Sequence, residues 1–326
     1  MPIISKTANM PTICVLGGTG FVGQHLVYRL ADEGYHVRII TRHRSRHRQL
    51  CVHPGIQLIE GDIHNLDVLR QHFKGCSAVI NLAAILNERR RGDFQKIHVV
   101  LPGKIIQACR DRGVRRLLHM SALNADSGNG TSRYLHSKGQ GEKLMKVASD
   151  DLLITMFRPS VIFGANDHFF NHFATLLKLS PVFFPVVCSQ ARFAPIYVGD
   201  VVQAFINSLN CQESYGKRYD LCGPRTYSMY DLVQFTASTL KIKRKLIGLG
   251  SLVSAIQGRV LEHLPGKLFT YDNYLSMKLD NVCSGAIASE LGISLSSIES
   301  VVPTYLTQQN IRGRYSLFRS KAGRGD

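Results

Sequence analysis

The chain has 326 residues, 44% of them hydrophobic, and no low-complexity block, which excludes a disordered or fibrous protein. This length predicts one large domain, or one domain with a smaller lobe. Forty Lys and Arg residues against 23 Asp and Glu residues give a net charge of +17. Such a surface attracts phosphates, nucleic acid or anionic lipid. No RNA- or DNA-binding motif accompanies the charge, so no nucleic-acid partner is expected.

The residue pattern predicts neither a secretion signal nor a membrane-spanning helix. Residues Met1–Lys6 lack the apolar core of a signal peptide. The uncharged, apolar stretches 179–191 and 246–258 are each 13 residues long, and a spanning helix needs about 20 residues. We therefore expect a chain that does not cross a membrane and lies in the cytoplasm, with a peripheral position on the inner face of the membrane left open.

Eight cysteines are scattered along the chain without a C-x-x-C pair. This pattern predicts buried, reduced thiols of a cytosolic protein rather than a disulfide framework. The histidines and cysteines also lack metal-ligand spacing, so no metal site is expected.

Apolar runs alternate with helical patterns over the first 158 residues. The helical patterns lie between most of these runs, notably at 93–112 and 132–148. Strands that alternate with helices of this length form parallel crossovers, so residues 1–158 are predicted to form an α/β domain of the Rossmann type, with a doubly wound parallel sheet. The strand candidates are 12–16, 37–41, 56–60, 78–82, 116–120 and 152–156.

The alternation loosens from Pro159 onward, where prolines interrupt an apolar region. We expect residues 159–326 to form a smaller C-terminal α/β lobe that covers the strand ends and serves the substrate, with interleaving of the two domains left open. Residues 310–326 form a basic tail.

Local signals within this lobe predict further elements. The runs 193–198 and 218–222 are strand-like, and a helix is expected from Asp200. Ser228 is expected to cap a second helix that extends to Leu240.

Gly17, Gly20 and Gly23 form a G-x-x-G-x-x-G pattern between the first strand and the first helix. A tight turn here needs positive φ, and a pyrophosphate approaches the backbone only where no Cβ intrudes. The helix N-terminus then meets the phosphates. The pattern predicts a dinucleotide site, and the alternative is a turn that is merely tight.

The second strand ends in Thr41-Arg42-His43-Arg44, with no acidic residue nearby. NAD-binding proteins usually place Asp or Glu here for the ribose hydroxyls, whereas arginine suits a 2′-phosphate. Arg42 and Arg44 therefore favour NADP(H) over NAD(H). The alternative is that both are solvated loop residues.

Two further strand ends are predicted to contact the cofactor. Asp62 and Ile63 follow the third strand, where an aspartate accepts a hydrogen bond from the adenine amino group. Ala83 lies among the small residues that close the fourth strand and let a cofactor lie against the sheet edge.

Tyr134 and Lys138 form a Y-x-x-x-K pattern on the helix after the fifth strand. Positions four apart share a helix face. The ammonium group is therefore expected to lower the pKa of the phenol and to let it pass a proton to a substrate carbonyl. Ser121, at the end of the fifth strand, is expected to bond the same oxygen. Y-x-x-x-K also occurs by chance, which leaves ordinary surface residues as the alternative.

These motifs, read together, resemble those of extended and atypical short-chain dehydrogenases/reductases. Two stretches, Met120–Ala125 and Ser132–Glu142, make the resemblance closest to the family of the NADP(H)-binding nine-type alpha-subcomplex accessory subunit of respiratory complex I and its bacterial relatives. Two segments in the second half of the chain, 264–272 and 279–282, resemble the same family. The motifs that carry the wider resemblance are Gly17–Gly23, Arg42, Tyr134 with Lys138, Arg158–Gly164 and Pro195–Val201.

The resemblance implies a cofactor site and two alternative functions. The mitochondrial member holds NADPH as a structural or regulatory ligand, bacterial relatives are described as NAD-dependent epimerases/dehydratases, and a yeast branch is linked to ubiquinone biosynthesis. By this resemblance, the cofactor is lined by Gly17, Thr19, Gly20, Phe21, Val22, Arg42, Asp62, Ala83, Lys138 and Pro159.

We therefore expect an NADP(H)-dependent oxidoreductase that acts on an apolar, quinone-related substrate. The alternative is a non-catalytic module that holds NADP(H) within an assembly similar to respiratory complex I. One departure bears on this choice. Many extended members place the catalytic Ser or Thr where this chain has Leu123 and Asn124.

An apolar stripe at helical spacing runs from Leu249 to Leu264 and follows a basic cluster at 241–245. This combination is typical of an interfacial helix that lies on anionic lipid. The alternative is a lid helix packed on the core of its own lobe.

Overall fold

The computed structural model describes residues 11–126, 128, 132–249, 270–285 and 289–307. A π-helical segment, Lys96–Val100, lies between the third and fourth helices. The strands are β1 (Thr12–Leu16), β2 (His36–Thr41), β3 (Ile56–Glu60), β4 (Cys76–Asn81), β5 (Arg116–Met120), β6 (Leu153–Pro159), β7 (Ile162–Phe163), β8 (Phe183–Val186), β9 (Arg192–Phe193), β10 (Ile196–Tyr197), β11 (Arg218–Leu221), β12 (Tyr227–Ser228) and β13 (Lys245–Gly248). The helices are α1 (Phe21–Asp32), α2 (Leu66–Phe73), α3 (Asp93–Gln95), α4 (Leu101–Arg112), α5 (Arg133–Ala148), α6 (Phe170–Leu179), α7 (Val198–Leu209), α8 (Met229–Thr239), α9 (Tyr271–Met277) and α10 (Ile298–Leu306).

Two compact units divide the chain. Unit 1 contains residues 1–159, 202–220 and 286–293, and unit 2 contains residues 160–201, 221–285 and 294–326. The sequence predicts the strand-like run 218–222 in the smaller lobe, whereas β11 joins the main sheet with the strands of unit 1. A strand of four residues takes its place from hydrogen bonds to a partner strand, and its local pattern does not reveal that partner.

The main sheet has seven strands in the order β11-β6-β5-β4-β1-β2-β3. The five pairings from β6 to β3 are parallel. The bonds from Met156 N to Lys217 O and from Ser160 N to Leu221 O advance equally along both chains, so β11 is parallel to β6 as well. The predicted doubly wound α/β fold of the Rossmann type is therefore confirmed. Strand order reverses beside β1, the place where such sheets bind ligands.

Apolar side chains on both the sheet and the helices form the core of unit 1. In β1 the residues Ile13 to Leu16 are at most 1% exposed, as expected for a strand covered on both faces. On α4, Leu101, Ile105 and Cys109 recur every four residues and pack into the same core cluster as Leu69 of α2.

Unit 2 contains three two-stranded sheets within the described residues. The β7–β10 and β8–β13 pairs are parallel, and the β9–β12 pair is antiparallel. Ser228 caps α8 by accepting a bond from Asp231 N while the Asp231 carboxylate accepts one from Ser228 N, so the predicted cap is confirmed. Aromatic rings fill the core of this unit, among them Phe163, Phe170, Phe184 and Phe193.

The cysteine prediction is wrong for one pair, because Cys222 and Cys283 form a disulfide in unit 2. The two residues are 61 positions apart, and no spacing motif marks such a pairing. Cys51 is exposed, which also departs from the expected burial, whereas Cys14, Cys76 and Cys109 are buried and reduced. Burial raises the pKa of the Cys109 thiol to about 12, so this thiol is inert.

Within the described parts of the chain, no helix is long and apolar enough to cross a membrane. Two expected features lie outside the described residues. They are the apolar stripe from residue 250 onward and the basic tail at 310–326.

Candidate functional site

The glycine loop connects the buried end of β1 to α1. Gly17 has φ +80°, the left-handed region that glycine tolerates, and a Cβ there would lie 2.9 Å from the backbone of Leu82 and Ala83. The Gly20 N–H donates to Gly17 O at 3.0 Å and closes the turn. The loop thus lies directly against the chain that leaves β4, with no room for a side chain between them.

The N-terminus of α1 is open toward an anion. Its N-cap is Gly20, which supplies no capping side chain, and its first turn contains no acidic residue. The Gln24 side chain donates to Thr19 O at 2.9 Å and steadies the loop. The first-turn N–H groups and the positive end of the helix dipole therefore suit phosphate oxygens, and Phe21 and Val22 belong to that turn.

Arg42 and Arg44 lie where the sequence predicts them, after the strand next to β1. Leu16, the last residue of β1, is in register with Ile40 of β2. Arg42 comes two residues after Ile40, at the end of the sheet where the glycine loop begins. Both arginine side chains are exposed. They form a cationic group at the same edge of the sheet as the glycine loop.

The charges of Arg42 and Asp62 both act on His64, which follows β3. Burial lowers the pKa of His64. The charges of Lys96, Lys104 and Arg42 also lower it, whereas the Asp62 carboxylate raises it. Asp62 accepts a bond from His64 N at 3.0 Å through Oδ1. The ends of β2 and β3 thus form one polar edge.

The remaining predicted cofactor residues lie at the carboxyl ends of three parallel strands. Ile63 is half-buried after β3. Ala83 follows β4, and its N–H donates to Asn81 Oδ1 at 3.1 Å. Pro159 ends β6, and its carbonyl accepts a bond from Leu123 N at 3.1 Å. Because these ends share one sheet edge, the residues line the side on which the glycine loop lies.

Ser121 and Lys138 are brought together. Lys138 Nζ donates to the carbonyl of Met120, the residue before Ser121, at 3.0 Å. Ser121 is 4% exposed, and among the described residues its Oγ has no hydrogen-bond partner. An unpaired buried hydroxyl is costly, so this one is suited to a bound molecule.

Tyr134 lies on the same face of α5 as Lys138, one turn earlier. Burial raises the pKa of Tyr134 to about 12. Burial also lowers the pKa of Lys138 to about 8, against an opposing effect of the Glu142 carboxylate. The sequence predicts that the lysine lowers the pKa of the phenol, whereas burial of the phenol raises that pKa in this structure. Tyr134 is therefore protonated at neutral pH.

Sequence reasoning missed His98, which stands behind Tyr134. The His98 ring meets the Tyr134 ring edge-to-face at 5.6 Å. Its Nε2 accepts a bond from Ile85 N at 3.2 Å, so Nδ1 carries the proton and bonds Ser137 Oγ at 2.8 Å. Ser137 donates to the Tyr134 carbonyl. His98 thus connects the loop after β4 to α5, a link between residues 39 apart that no motif marks.

His119 is part of a second buried network. Asn81 Nδ2 donates to His119 Nδ1 at 3.0 Å, while Asn81 Oδ1 holds the N–H of Ala83. Burial, and then the Lys138 charge, lowers the pKa of His119 to about 3. The Asn81 side chain therefore positions the loop that faces Gly17.

These two histidines make stability depend on pH. Burial lowers the pKa of His98 from 6.5 to about 2 and that of His119 to about 3. Between these values and pH 6.5 the unfolded chain takes up protons that the folded chain does not, so stability falls as the pH falls. Each histidine is expected to contribute a slope of about 1.4 kcal/mol per pH unit.

Urea unfolding from pH 6.5 down to pH 4 measures that slope. His98→Gln should reduce it by the contribution of one histidine, with His36→Gln at an exposed position as the matched control. An unchanged slope in His98→Gln would show that this ring is not buried in its neutral form.

Residues 13–222 match the NAD dependent epimerase/dehydratase family. Mitochondrial NADH dehydrogenase (ubiquinone) 1 alpha subcomplex subunit 9 of Mus musculus is 33% identical over 225 residues, which cover 68% of this chain and 59% of that protein. Ceramide reductase of Caulobacter vibrioides is 29% identical over 199 residues, which cover 60% of this chain and 59% of that protein. The chain thus spans less than two thirds of the length of either relative.

Solved structures show the same fold at lower identity. UDP-glucose 4-epimerase of Thermotoga maritima, solved with UDP-glucose, superposes with a TM-score of 0.71. It is 17% identical, and the match covers 91% of this chain and 99% of that chain. At this identity the likeness concerns the arrangement of strands and helices.

Proposed function

The chain belongs to the NAD dependent epimerase/dehydratase family, and from that premise we propose an NADP(H)-dependent reductase that acts on an apolar, quinone-related carbonyl compound. The observation that carries the cofactor choice is the arginine pair at the end of β2. Residues 41–52 contain Arg42 and Arg44 and no carboxylate. A 2′-phosphate gains charge-assisted bonds there, and no acid repels it.

The residues at the sheet edge fit a dinucleotide. Gly17 lets the glycine loop turn tightly against the chain after β4, the first turn of α1 offers N–H groups to the pyrophosphate, and Ala83 presents a small side chain to the same edge. Thr19, Gly20, Phe21 and Val22 would surround the phosphates. The remaining lining residues in this proposal are Arg42, Arg44, Asp62, Ile63, Ala83, Lys138 and Pro159.

The proposed chemistry uses three side chains of unit 1. The nicotinamide supplies or accepts hydride when it is bound. Tyr134, protonated at neutral pH, donates its proton to the substrate oxygen. The buried Ser121 Oγ bonds the same oxygen. The Lys138 ammonium donates to the Met120 carbonyl, and in this proposal its charge stabilises the negative charge that develops as the proton is transferred.

Arg42→Glu tests the cofactor assignment. The substitution removes charge-assisted bonds to the 2′-phosphate and adds repulsion, so NADPH affinity is expected to fall about a hundredfold. NADH has no 2′-phosphate, and its affinity should change by no more than about threefold. Titration calorimetry with both dinucleotides measures the difference.

Arg48→Glu is the matched control, since Arg48 is also exposed and lies on the segment that follows β2. It should leave both affinities unchanged. Equal losses of NADPH and NADH affinity in Arg42→Glu would overturn the preference for NADP(H).

A second function is favoured by two other observations. Leu123 is 4% exposed, and Asn124 has φ 62°, so the positions that carry a hydroxyl in many extended members here hold a core residue and an asparagine in the left-handed conformation. The mouse relative is named as a subunit of NADH dehydrogenase. The alternative proposal is therefore a non-catalytic module that retains NADP(H) in a respiratory assembly.

Tyr134→Phe separates the two functions. For a reductase, loss of the phenolic proton should slow NADPH oxidation by about a hundredfold across a panel of quinones and long-chain aldehydes, with NADPH affinity unchanged. For a retained-cofactor module, neither the wild type nor the variant consumes NADPH.

Tyr28→Phe serves as the control, because it removes a phenol that bonds only the Gln49 carbonyl among the described contacts. If the wild type oxidises NADPH and Tyr134→Phe does so at the same rate, the proposed proton donor is wrong.

For the location, we propose a peripheral position on the inner face of a membrane. An apolar substrate class such as the quinones, or the ceramide that the bacterial relative is named for, resides in lipid. A reductase or respiratory module on that surface meets such molecules without crossing the bilayer.

A further inference from the structure

An apolar surface lies outside the dinucleotide site, on unit 2. Four large apolar side chains near α6, β8 and β13 are open to solvent: Leu179 (75% exposed), Val182 (57%), Phe183 (57%) and Ile247 (44%). Single exposed apolar side chains are common on soluble proteins, but a cluster of them marks a contact surface. We call this cluster the β8–β13 face.

The pairing of β8 with β13 explains why one side of this ribbon is apolar and exposed. In β8, Phe184 and Val186 are 7% and 1% exposed and pack into the core of unit 2. The alternate residues point away from that core, as the pleat requires. Phe183 is in register with Lys245, and Pro185 is in register with Ile247. Apolar and basic side chains therefore share the outward side of the ribbon.

Hydrogen bonds hold the two segments of the β8–β13 face together. Arg244 Nε donates to Ser180 O at 2.6 Å, and Lys245 N donates to Val182 O at 3.1 Å. Residues separated by more than sixty positions in the chain thereby form one surface. These hydrogen bonds therefore fix the two segments of the face next to each other.

The charge on this face has one sign. Residues 178–188 and 240–249 contain no Asp or Glu. Within the described residues, none of the cations in these two segments takes part in an ion pair. The cations are Lys178, Lys241, Lys243, Arg244 and Lys245. A surface with this composition is complementary to anions.

We propose that the β8–β13 face docks onto a bilayer containing anionic phospholipid, with Phe183 and its apolar neighbours entering the acyl boundary and the lysines meeting the phosphates. In this position the amines bind the lipid phosphates, and the apolar side chains beside them enter the hydrocarbon region. Nucleic acid would satisfy only the amines, because aliphatic side chains find no partner on a phosphate backbone. The proposal deepens the peripheral location proposed above and requires neither bound dinucleotide nor turnover.

Vesicle sedimentation of the full chain tests this docking. The wild type should pellet with phosphatidylcholine vesicles that contain about 30% phosphatidylglycerol, and not with phosphatidylcholine alone. Lys243→Glu with Lys245→Glu should weaken binding by at least about 25-fold, about fivefold for each cation lost. Phe183→Ser with Ile247→Ser should also weaken it, by about tenfold, through lost apolar insertion.

Matched controls separate this face from net charge and general hydrophobicity. Arg90→Glu with Arg91→Glu makes the same change in charge at exposed positions of unit 1. Val52→Ser removes an apolar side chain that is 83% exposed elsewhere. Both controls should bind as the wild type does. Equal loss in a control, equal binding to neutral vesicles, or no effect of Phe183→Ser with Ile247→Ser would overturn the proposal.

Two further measurements keep the result clear. Circular dichroism melts verify folding, and Lys243→Gln with Lys245→Gln repeats the test if the glutamate variant unfolds. NADPH affinity, measured on the same proteins, should equal that of the wild type. If the wild type did not bind NADPH, the cofactor proposal would be refuted and the vesicle result would be unaffected. Retention on immobilised polyglutamate without any vesicle binding would assign the face to an acidic protein and overturn the lipid proposal.

Discussion

Replacing Glu142 by leucine is expected to lower the free energy of unfolding by about 3–5 kcal/mol. The Glu142 side chain is 7% exposed, and its Oε1 lies 3.0 Å from Arg158 Nε, on a side chain that is 12% exposed. Arg218 reaches the other carboxylate oxygen at 3.5 Å. Without the carboxylate, the acidic neighbour that Arg158 keeps among the described residues is Asp220, at 3.6 Å. Urea unfolding monitored by circular dichroism measures the loss.

The control is an ion pair on the surface. Arg110 and Asp151 are 2.7 Å apart and about half exposed, so Asp151→Ala should cost no more than about 1 kcal/mol. Glu142→Leu combined with Arg158→Leu removes both buried charges and should recover most of the stability that the single substitution loses. A single-variant cost equal to that of Asp151→Ala would show that the Glu142–Arg158 pair is not buried in solution.

This pair also bears on the candidate site. Glu142 lies one turn after Lys138, which lies one turn after Tyr134, so the three share a face of α5. The Glu142 charge raises the pKa of Lys138 against the effect of burial. Arg158, in turn, donates to the carbonyl of Ala125, on the segment that follows Ser121. One buried ion pair thus contacts both α5 and the segment that follows Ser121.

Features encoded in short segments were predictable from the sequence. The glycine spacing, the apolar run of β1 and the Ser228 cap each depend on residues that are neighbours in the chain, and the structure has each of them in place. The parallel sheet follows from the alternation of such segments, because crossovers between parallel strands need helices. The position of Tyr134 and Lys138 on one helix face follows from the helical repeat alone.

Features created by distant contacts were not predictable in the same way. The disulfide between Cys222 and Cys283, the bond between His98 and Ser137, and the pairing of β11 each join segments that carry no shared pattern. The pKa of Tyr134 is raised where the sequence predicts that it is lowered, for a related reason. The helical repeat shows which charge is close, whereas desolvation depends on everything that packs around the phenol.

Gly23→Ala is expected to reduce NADPH affinity by about a hundredfold and to cost about 3 kcal/mol of stability. A Cβ at Gly23 would lie 2.1 Å from the Gly17 carbonyl oxygen and 2.7 Å from the Gly18 Cα. Both are backbone atoms, so the strain is relieved only if the glycine loop moves away from the first turn of α1. A shift of that kind displaces the N–H groups that the pyrophosphate requires. Calorimetric titration with NADPH and urea unfolding measure the two effects.

Gly103→Ala provides the contrast, because it places the same methyl group on α4 where nothing lies within 4 Å. Alanine is the better helix former, so this variant should gain up to about 1 kcal/mol and bind NADPH as the wild type does. The comparison separates the loss of a glycine from the loss of close contact between loop and helix. If Gly23→Ala kept its NADPH affinity while losing stability, the glycine loop would be a packing device, and the dinucleotide would have to bind elsewhere on the chain. If both quantities fall together in Gly23→Ala and neither falls in Gly103→Ala, the contact that shapes the loop is also the one that shapes the site.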